Sequence, residues 1–245
     1  MDNDAFGMPD PVTLQQPAAR GQERLVLGLM AVALLGFLVL MYFAATSPYM
    51  SFDLPITLAV QSFHPAWFDV SMRWISETGF PPQVYIWVTI LVIVLFVFRS
   101  HWEALGTIFA GAGIGAVGGI VKLFVVRPRP SADLVHVFRD LSAYHDSFPA
   151  GHVMGNVAIM GFLVFLAIKV FKPMWLRVGI IVFLVPQIVL IGLSRIYEGE
   201  HWFSDVLGGY LLGSIWLVVT IYFYRWVKTR FGSPKSQISK RQIRS

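Results

Sequence analysis

The sequence predicts an all-α membrane protein, a polytopic six-transmembrane-helix bundle with cytoplasmic N- and C-termini. Three observations carry that prediction. The 245 residues are 56% hydrophobic with a mean hydropathy of +0.65, far more apolar than a soluble domain needs. Only 13% of them are charged. Six apolar stretches reach or approach the roughly 20 residues that a hydrocarbon core about 30 Å thick demands of a helix.

Those stretches cover approximately 24–46, 83–99, 103–125, 153–171, 176–197 and 203–226. The first has the outline of a cleavable signal, with Arg20 and Arg24 before it and Ala44 and Ala45 after it. Its apolar run exceeds the roughly 7 to 15 residues of a signal core, so it reads as a retained helix. Residues 1–22 are polar and proline-bearing and are expected to be a disordered cytoplasmic segment. Residues 23–227 form the membrane domain, and 228–245 a basic cytoplasmic tail. The loop 47–82 holds Phe63, Trp67, Phe68 and Trp74 among polar residues, which predicts short amphipathic helices at the membrane interface. In the third stretch Gly111, Gly115 and Gly119 recur every four residues, a small face suited to close helix contact, inside the bundle or in a homodimer.

Orientation follows from the short loops, because Lys and Arg are retained on the cytoplasmic side. Arg20 and Arg24, Arg99, the group Lys169, Lys172 and Arg177, and the tail from Lys228 to Arg244 all fall on one side of a six-helix chain. The loops 47–82, 126–152 and 198–202 fall on the other. Arg127, Arg129 and Arg195 break the trend there, as expected if function placed them. The net charge of +5 is thus accounted for by topology and a site, and nucleic acid is not an expected partner. The absence of cysteine excludes disulfides and thiol chemistry.

Three segments on that second side gather most of the chemistry. In Lys122 to Pro130 (K-L-F-V-V-R-P-R-P), Lys122 and Arg129 lie two helical turns apart, and Pro128 and Pro130 end the helix around the arginine. A lysine in an apolar segment costs about 2.5 to 3.5 kcal/mol at the bilayer centre, so Lys122 should face a polar cavity unless it snorkels to the interface. Arg127 reads as a surface bystander. In Phe148 to His152 (F-P-A-G-H) a turn leads into the fourth apolar stretch, placing His152 at a helix N-terminus, where free N–H groups and the dipole favour anions. A histidine there suits proton donation to a leaving oxygen. In Ser194 to Asp205 (S-R-I-Y-E-G-E-H-W-F-S-D), His201 and Asp205 are four apart, so on a helix the carboxylate can fix the imidazole tautomer and leave the other nitrogen free to attack.

Together these segments resemble the type 2 phosphatidic acid phosphatase superfamily, the membrane lipid phosphatases and vanadium haloperoxidase-like proteins. Its signature is K-x6-RP, then PSGH, then SR-x5-H-x3-D, and order and spacing match here. The resemblance implies a metal-independent hydrolase with no cofactor. It makes His201 the nucleophile that forms a phosphohistidine, Asp205 its orienting partner and His152 the general acid. Lys122, Arg129, Ser194 and Arg195 become the phosphate clamp, joined by the Gly151 amide. No acidic cluster with metal-ligand spacing contradicts this. One position departs from the pattern, since Ala150 stands where the family has a serine.

The expected substrate is a lipid phosphate monoester or isoprenoid diphosphate entering from the membrane at the extracytoplasmic face, with phosphatidic acid and phosphatidylglycerol phosphate among the candidates. His136, Arg139 and His145, in the loop 131–147, are candidate headgroup contacts or solvated loop residues. Two alternatives stand beside hydrolysis. A lipid phosphotransferase would use the same intermediate, and a catalytically weakened binding or transport protein would use the cations without chemistry.

Overall fold

A computed structural model describes residues 11–80, 83–139, 141 and 146–232. The expectations for residues 1–10, His145 and the tail beyond 232 lie outside that set. Eight helices and no β-strand occur among the described residues: α1 (Pro11–Thr46), α2 (Asp53–Gln61), α3 (Ala66–Thr78), α4 (Gln83–Val97), α5 (His101–Phe124), α6 (Gly151–Val170), α7 (Met174–Tyr197) and α8 (Phe203–Phe231). The all-α fold is as the sequence predicts.

Five helices are long and apolar enough to cross a membrane, and a sixth crossing arises if α3 and α4, bent by 57°, are taken as one broken span. The sequence put this crossing on 83–99 alone. At about 1.5 Å per residue, the 15 residues of α4 fall short of a hydrocarbon core about 30 Å thick. The broken pair has the length that α4 lacks.

Burial is the reverse of a water-soluble protein. Val97, Leu123 and Trp175 are exposed, while Arg127, Arg195, Glu200 and Asp205 are buried. Lipid tolerates the first set, and only a paired interior tolerates the second. The centre is α6, which packs against α5, α7 and α8, while α4 buries no residue and α1 lies along α8. α8 approaches α6 closely because it has glycine at the contact: a Cβ on Gly209 or Gly213 would stand 2.9 Å from the carbonyl oxygen of Ala150 or Met154.

The Gly111, Gly115 and Gly119 face does not serve that purpose. A Cβ added at Gly115 or Gly119 would meet nothing within 4 Å, and one at Gly111 would touch only Ile159. Gly111 and Gly115 instead line a cavity between α4, α5 and α6. Gly111 and Gly115 thus leave open space at the cavity wall.

Candidate active site

The site forms where helix ends meet. α5 ends at Phe124, and the chain beyond it is extended at Val125 because Pro128 and Pro130 cannot continue a helix. This extended segment pairs with the chain just before α6, through a parallel bridge between Arg127 and Asp146 and a Ser147 N–H to Arg127 carbonyl bond of 3.2 Å. Neighbouring residues of an extended chain point opposite ways, so Ser147 turns inward while Asp146 faces the cavity. The turn between α7 and α8 needs Gly199 at φ 66, the left-handed region, where a Cβ would strike the His136 carbonyl oxygen at 2.3 Å. That turn delivers His201. α8 then begins with the Asp205 carboxylate accepting the Trp202 N–H at 2.9 Å, a helix-capping bond made by a residue of the site.

A cavity of about 480 Å³ opens between these ends, a size suited to a small ligand or headgroup. Lys122, Arg129, Gly151, His152 and His201 line its polar end, and Ile114, Val84, Trp87 and Met160 its apolar end. Five of the eight residues singled out from the sequence thus meet on one cavity. Gly151 opens α6, so the free N–H groups of that first turn and the positive end of the helix lie at the cavity wall. His152, the next residue, packs its ring 4.5 Å from that of Phe80.

His201 is buried, with its two ring nitrogens in different surroundings. Nε2 lies 3.3 Å from Arg129 Nη1. An arginine can only donate, so this contact suits a neutral ring with its Nε2 lone pair toward the cation and the cavity. Nδ1 lies 3.4 Å from Ser147 Oγ and 3.7 Å from Asp205 Oδ2, while Ser147 Oγ donates to Asp205 Oδ2 at 2.6 Å. Ser147 Oγ therefore touches both the imidazole and its carboxylate. Burial pushes the His201 imidazole down to about 4; the Asp205 carboxylate opposes that shift and the Arg129 charge adds to it. At neutral pH the ring is uncharged and able to attack.

Behind Asp205 is a second set of buried groups that the sequence did not reveal. Arg127, read there as a surface bystander, has no exposed side chain. It donates to Asp205 Oδ1, to Ser204 Oγ at 2.8 Å, to Asp53 Oδ2 at 2.8 Å and to the Pro48 carbonyl at 3.2 Å. Asp53, fully buried at the start of α2, also accepts from the Ser204 backbone at 2.8 Å and hydroxyl at 2.7 Å. Two carboxylates around one guanidinium leave a formal charge of minus one behind His201, the sign that stabilises an imidazolium or a phosphorylated ring.

Ser194 and Arg195 do not line the cavity. Ser194 Oγ donates to the Ile191 carbonyl at 2.8 Å within its own helix. Arg195 is held by Glu200 at 2.8 Å, Glu198 at 3.2 Å and Ser76, and lies 4.8 Å from the centre of the Phe80 ring. Burial raises the carboxyls of Glu198 and Glu200, against the pull of the Arg195 charge. Arg139 pairs with Glu77 above the Phe80 ring, and His136 is fixed by Gln61 through its backbone N–H at 3.0 Å and carbonyl at 2.7 Å. Neither lines the cavity. Ala150 is the N-cap of α6 and belongs to an apolar cluster with Val153, Val157 and Ile191, outside the cavity lining. Among the described residues, no three His, Asp or Glu side chains are placed to hold a metal ion.

Comparison with known proteins fits this arrangement. The PAP2 superfamily model matches residues 101–229, more than half of the chain. The chain belongs to the PAP2 superfamily. It is similar to phosphatidylglycerophosphatase B of Bacillus subtilis, 28% identical over 185 residues that cover 72% of this chain and 85% of that one. It is also similar to lipid phosphate phosphatase 2 of Arabidopsis thaliana, 28% identical over 152 residues, or 52% of this chain and about half of that one. The crystal structure of a transmembrane PAP2-type phosphatidylglycerolphosphate phosphatase from Bacillus subtilis superposes with a TM-score of 0.70 at 25% identity, covering 82% of this chain and 98% of that one. This PAP2 protein therefore shares the membrane fold of that phosphatase.

Proposed function

We propose that this PAP2 protein hydrolyses the terminal phosphate of a lipid monoester or diphosphate through a phosphohistidine at His201. The observation that carries the reading is the position of His201, whose Nε2 lies 3.3 Å from the Arg129 guanidinium at the cationic end of a cavity. In the first step Nε2 bonds to phosphorus as the bond to the leaving oxygen breaks, and His152 supplies the proton that oxygen needs. In the second, water replaces His201 at phosphorus and its proton passes to His152. Lys122, Arg129 and the amide end of α6 hold the phosphate oxygens where charge accumulates. Arg195 joins them only by leaving Glu198 and Glu200. Ser194, bonded within α7, supports the helix end that carries Arg195.

The apolar end of the cavity suits an acyl or isoprenoid chain, and the Lys and Arg distribution supports a site on the extracytoplasmic side. The relatives named as phosphatidylglycerophosphatase and lipid phosphate phosphatase support a lipid phosphate as substrate. The purified protein, in detergent with EDTA, is expected to release phosphate from phosphatidic acid, phosphatidylglycerol phosphate or undecaprenyl diphosphate, and the folded His201→Ala variant is expected to release none. Release by that variant would remove His201 as the nucleophile. Release only on addition of a second lipid or sugar alcohol would identify a transferase. Because the chain has no cysteine, a single cysteine at Asp133 tests orientation: labelling of intact cells by an impermeant maleimide is expected, and protection would reverse the topology.

A further inference from the structure

Lys122 and Arg129 already hold an anion, and it is part of the chain. Asp146 Oδ2 lies 3.1 Å from Lys122 Nζ, and Oδ1 lies 3.0 Å from Arg129 Nη2 and 3.3 Å from Arg129 Nε. The same Arg129 reaches His201 Nε2. A phosphate bonded to Nε2 would therefore need the cations that the Asp146 carboxylate now engages. We propose that Asp146 sets the affinity threshold of the site, a built-in competitor that occupies the phosphate clamp of the empty enzyme and must be displaced by the substrate.

The inference rests on the reading of Lys122 and Arg129 as the clamp. Three features support it. Asp146 lines the same cavity as His152 and His201. Its side chain is 43% exposed, whereas Asp53 and Asp205, the structural partners of Arg127, are fully buried, so its ion pairs exchange with a ligand at little cost. Burial pushes its carboxyl up, but Lys122 and Arg129 together hold it below the usual carboxylate range, so it is charged at neutral pH. Its neighbour Ser147 is tied to Asp205, which keeps Asp146 at the mouth of the site even when its carboxylate moves aside.

A competitor of this kind weakens every anion by the same factor, the inverse of the fraction of protein whose clamp is free. The ratio between two anions is unchanged, and what rises is the intrinsic affinity an anion needs to occupy the site. A bilayer surrounds the site with singly charged phosphodiesters, which bind two cations weakly and are reduced to negligible occupancy. A doubly charged phosphate monoester or terminal diphosphate starts stronger and still displaces the carboxylate.

The test is calorimetric binding of inorganic phosphate to the purified full-length protein and to Asp146→Asn, beside lipid phosphate kinetics of both. Removing the competitor is expected to tighten phosphate binding about tenfold and to appear in KM far more than in kcat. Phosphatidylglycerol in mixed micelles, a phosphodiester, is expected to become a competitive inhibitor of the variant while Asp146→Glu resists it. Unchanged or weaker phosphate binding by a folded Asp146→Asn overturns the proposal, as does a fall in kcat alone, which would make the carboxylate a builder of the clamp. Failure of both proteins to bind phosphate also overturns it. Phosphate binding is read without turnover, so the two readings separate. Tighter binding with no lipid hydrolysis would sink the hydrolase, and His201-dependent hydrolysis with unchanged binding would sink the competitor.

Discussion

Arg127 and Arg129 stand two residues apart on one extended segment, yet one is enclosed and the other faces a cavity. Arg127 meets two fully buried carboxylates and a serine, and every one of those partners belongs to the fold. Arg129 meets the half-exposed Asp146, the Glu200 carbonyl at 3.2 Å and Nε2 of His201. The first cation is enclosed by its partners and the second borders the cavity. The difference lies in the partners, since the two residues are chemically identical and equally placed in the R-P-R-P run.

The sharpest way to break that comparison is to remove each arginine in turn. Arg129→Ala is expected to lower kcat/KM by about 10² to 10³ while leaving the melting temperature near that of the parent, because a preorganised donor to transition-state charge is lost. Arg127→Ala is expected to destabilise the protein by about 3 to 5 kcal/mol, because Asp53 and Asp205 are left buried and uncompensated. Thermal melts in detergent beside initial rates separate the two. Equal loss of stability in both variants would erase the distinction.

Ser147 belongs to the enclosed side but touches the reactive ring. Ser147→Ala removes the hydroxyl that bridges His201 and Asp205 and leaves a 3.7 Å gap between them. A hydrogen bond of about 0.5 to 1.5 kcal/mol is at stake, so kcat should fall about tenfold with KM unchanged. An undiminished kcat would show that Asp205 orients the ring without help.

The pH profile tests the exposed side. His201 must be unprotonated to attack, and a base whose pKa is lowered keeps its lone pair to lower pH. Activity should therefore persist on acidification and be lost only as pH falls through about 4, well below the ordinary histidine range. Arg129→Ala should move this acid limb upward, since the Arg129 charge contributes to the depression. An acid limb near 6.5 in the parent would mean that the ring is solvated during turnover.

The smallest effect is expected at Ala150. It is the N-cap of α6 and lacks a side-chain acceptor, so Ala150→Ser can accept a first-turn N–H and raise stability by about 1 kcal/mol. The rate should change no more than a few-fold, because Ala150 lies outside the cavity lining. A large gain in rate would show that the hydroxyl reaches the phosphate when substrate binds.

Much of this site was legible in the chain because its parts are local. His201 and Asp205 are four residues apart and Gly151 and His152 adjacent, so turn geometry alone brings each of these pairs together, whereas Lys122 on α5 and Arg129 on the extended chain beyond it meet at Asp146 and not along one helix face. Asp53 could not be found that way. It lies 74 residues before Arg127 and 151 before Ser204, in a loop that reads as an interfacial cover, and no spacing rule joins them. The Gly111 to Gly119 repeat was visible, but whether it faces a helix or a void depends on where α4 and α6 stand.

The sequence by itself determined the six apolar stretches, the gathering of the polar segments at one end of the bundle, and the residue types that can attack, protonate and hold a phosphate. Those follow from hydropathy, loop charge and short-range periodicity, which act over a few helical turns. Tertiary structure alone decided which arginine is enclosed, that Ser147 touches both His201 and Asp205, that Arg195 is held by Glu198 and Glu200, and that Asp146 pairs with Lys122 and Arg129. A charge in an apolar interior is stable only with a partner, and which partner it finds is settled by helix packing that brings distant segments within 3 Å.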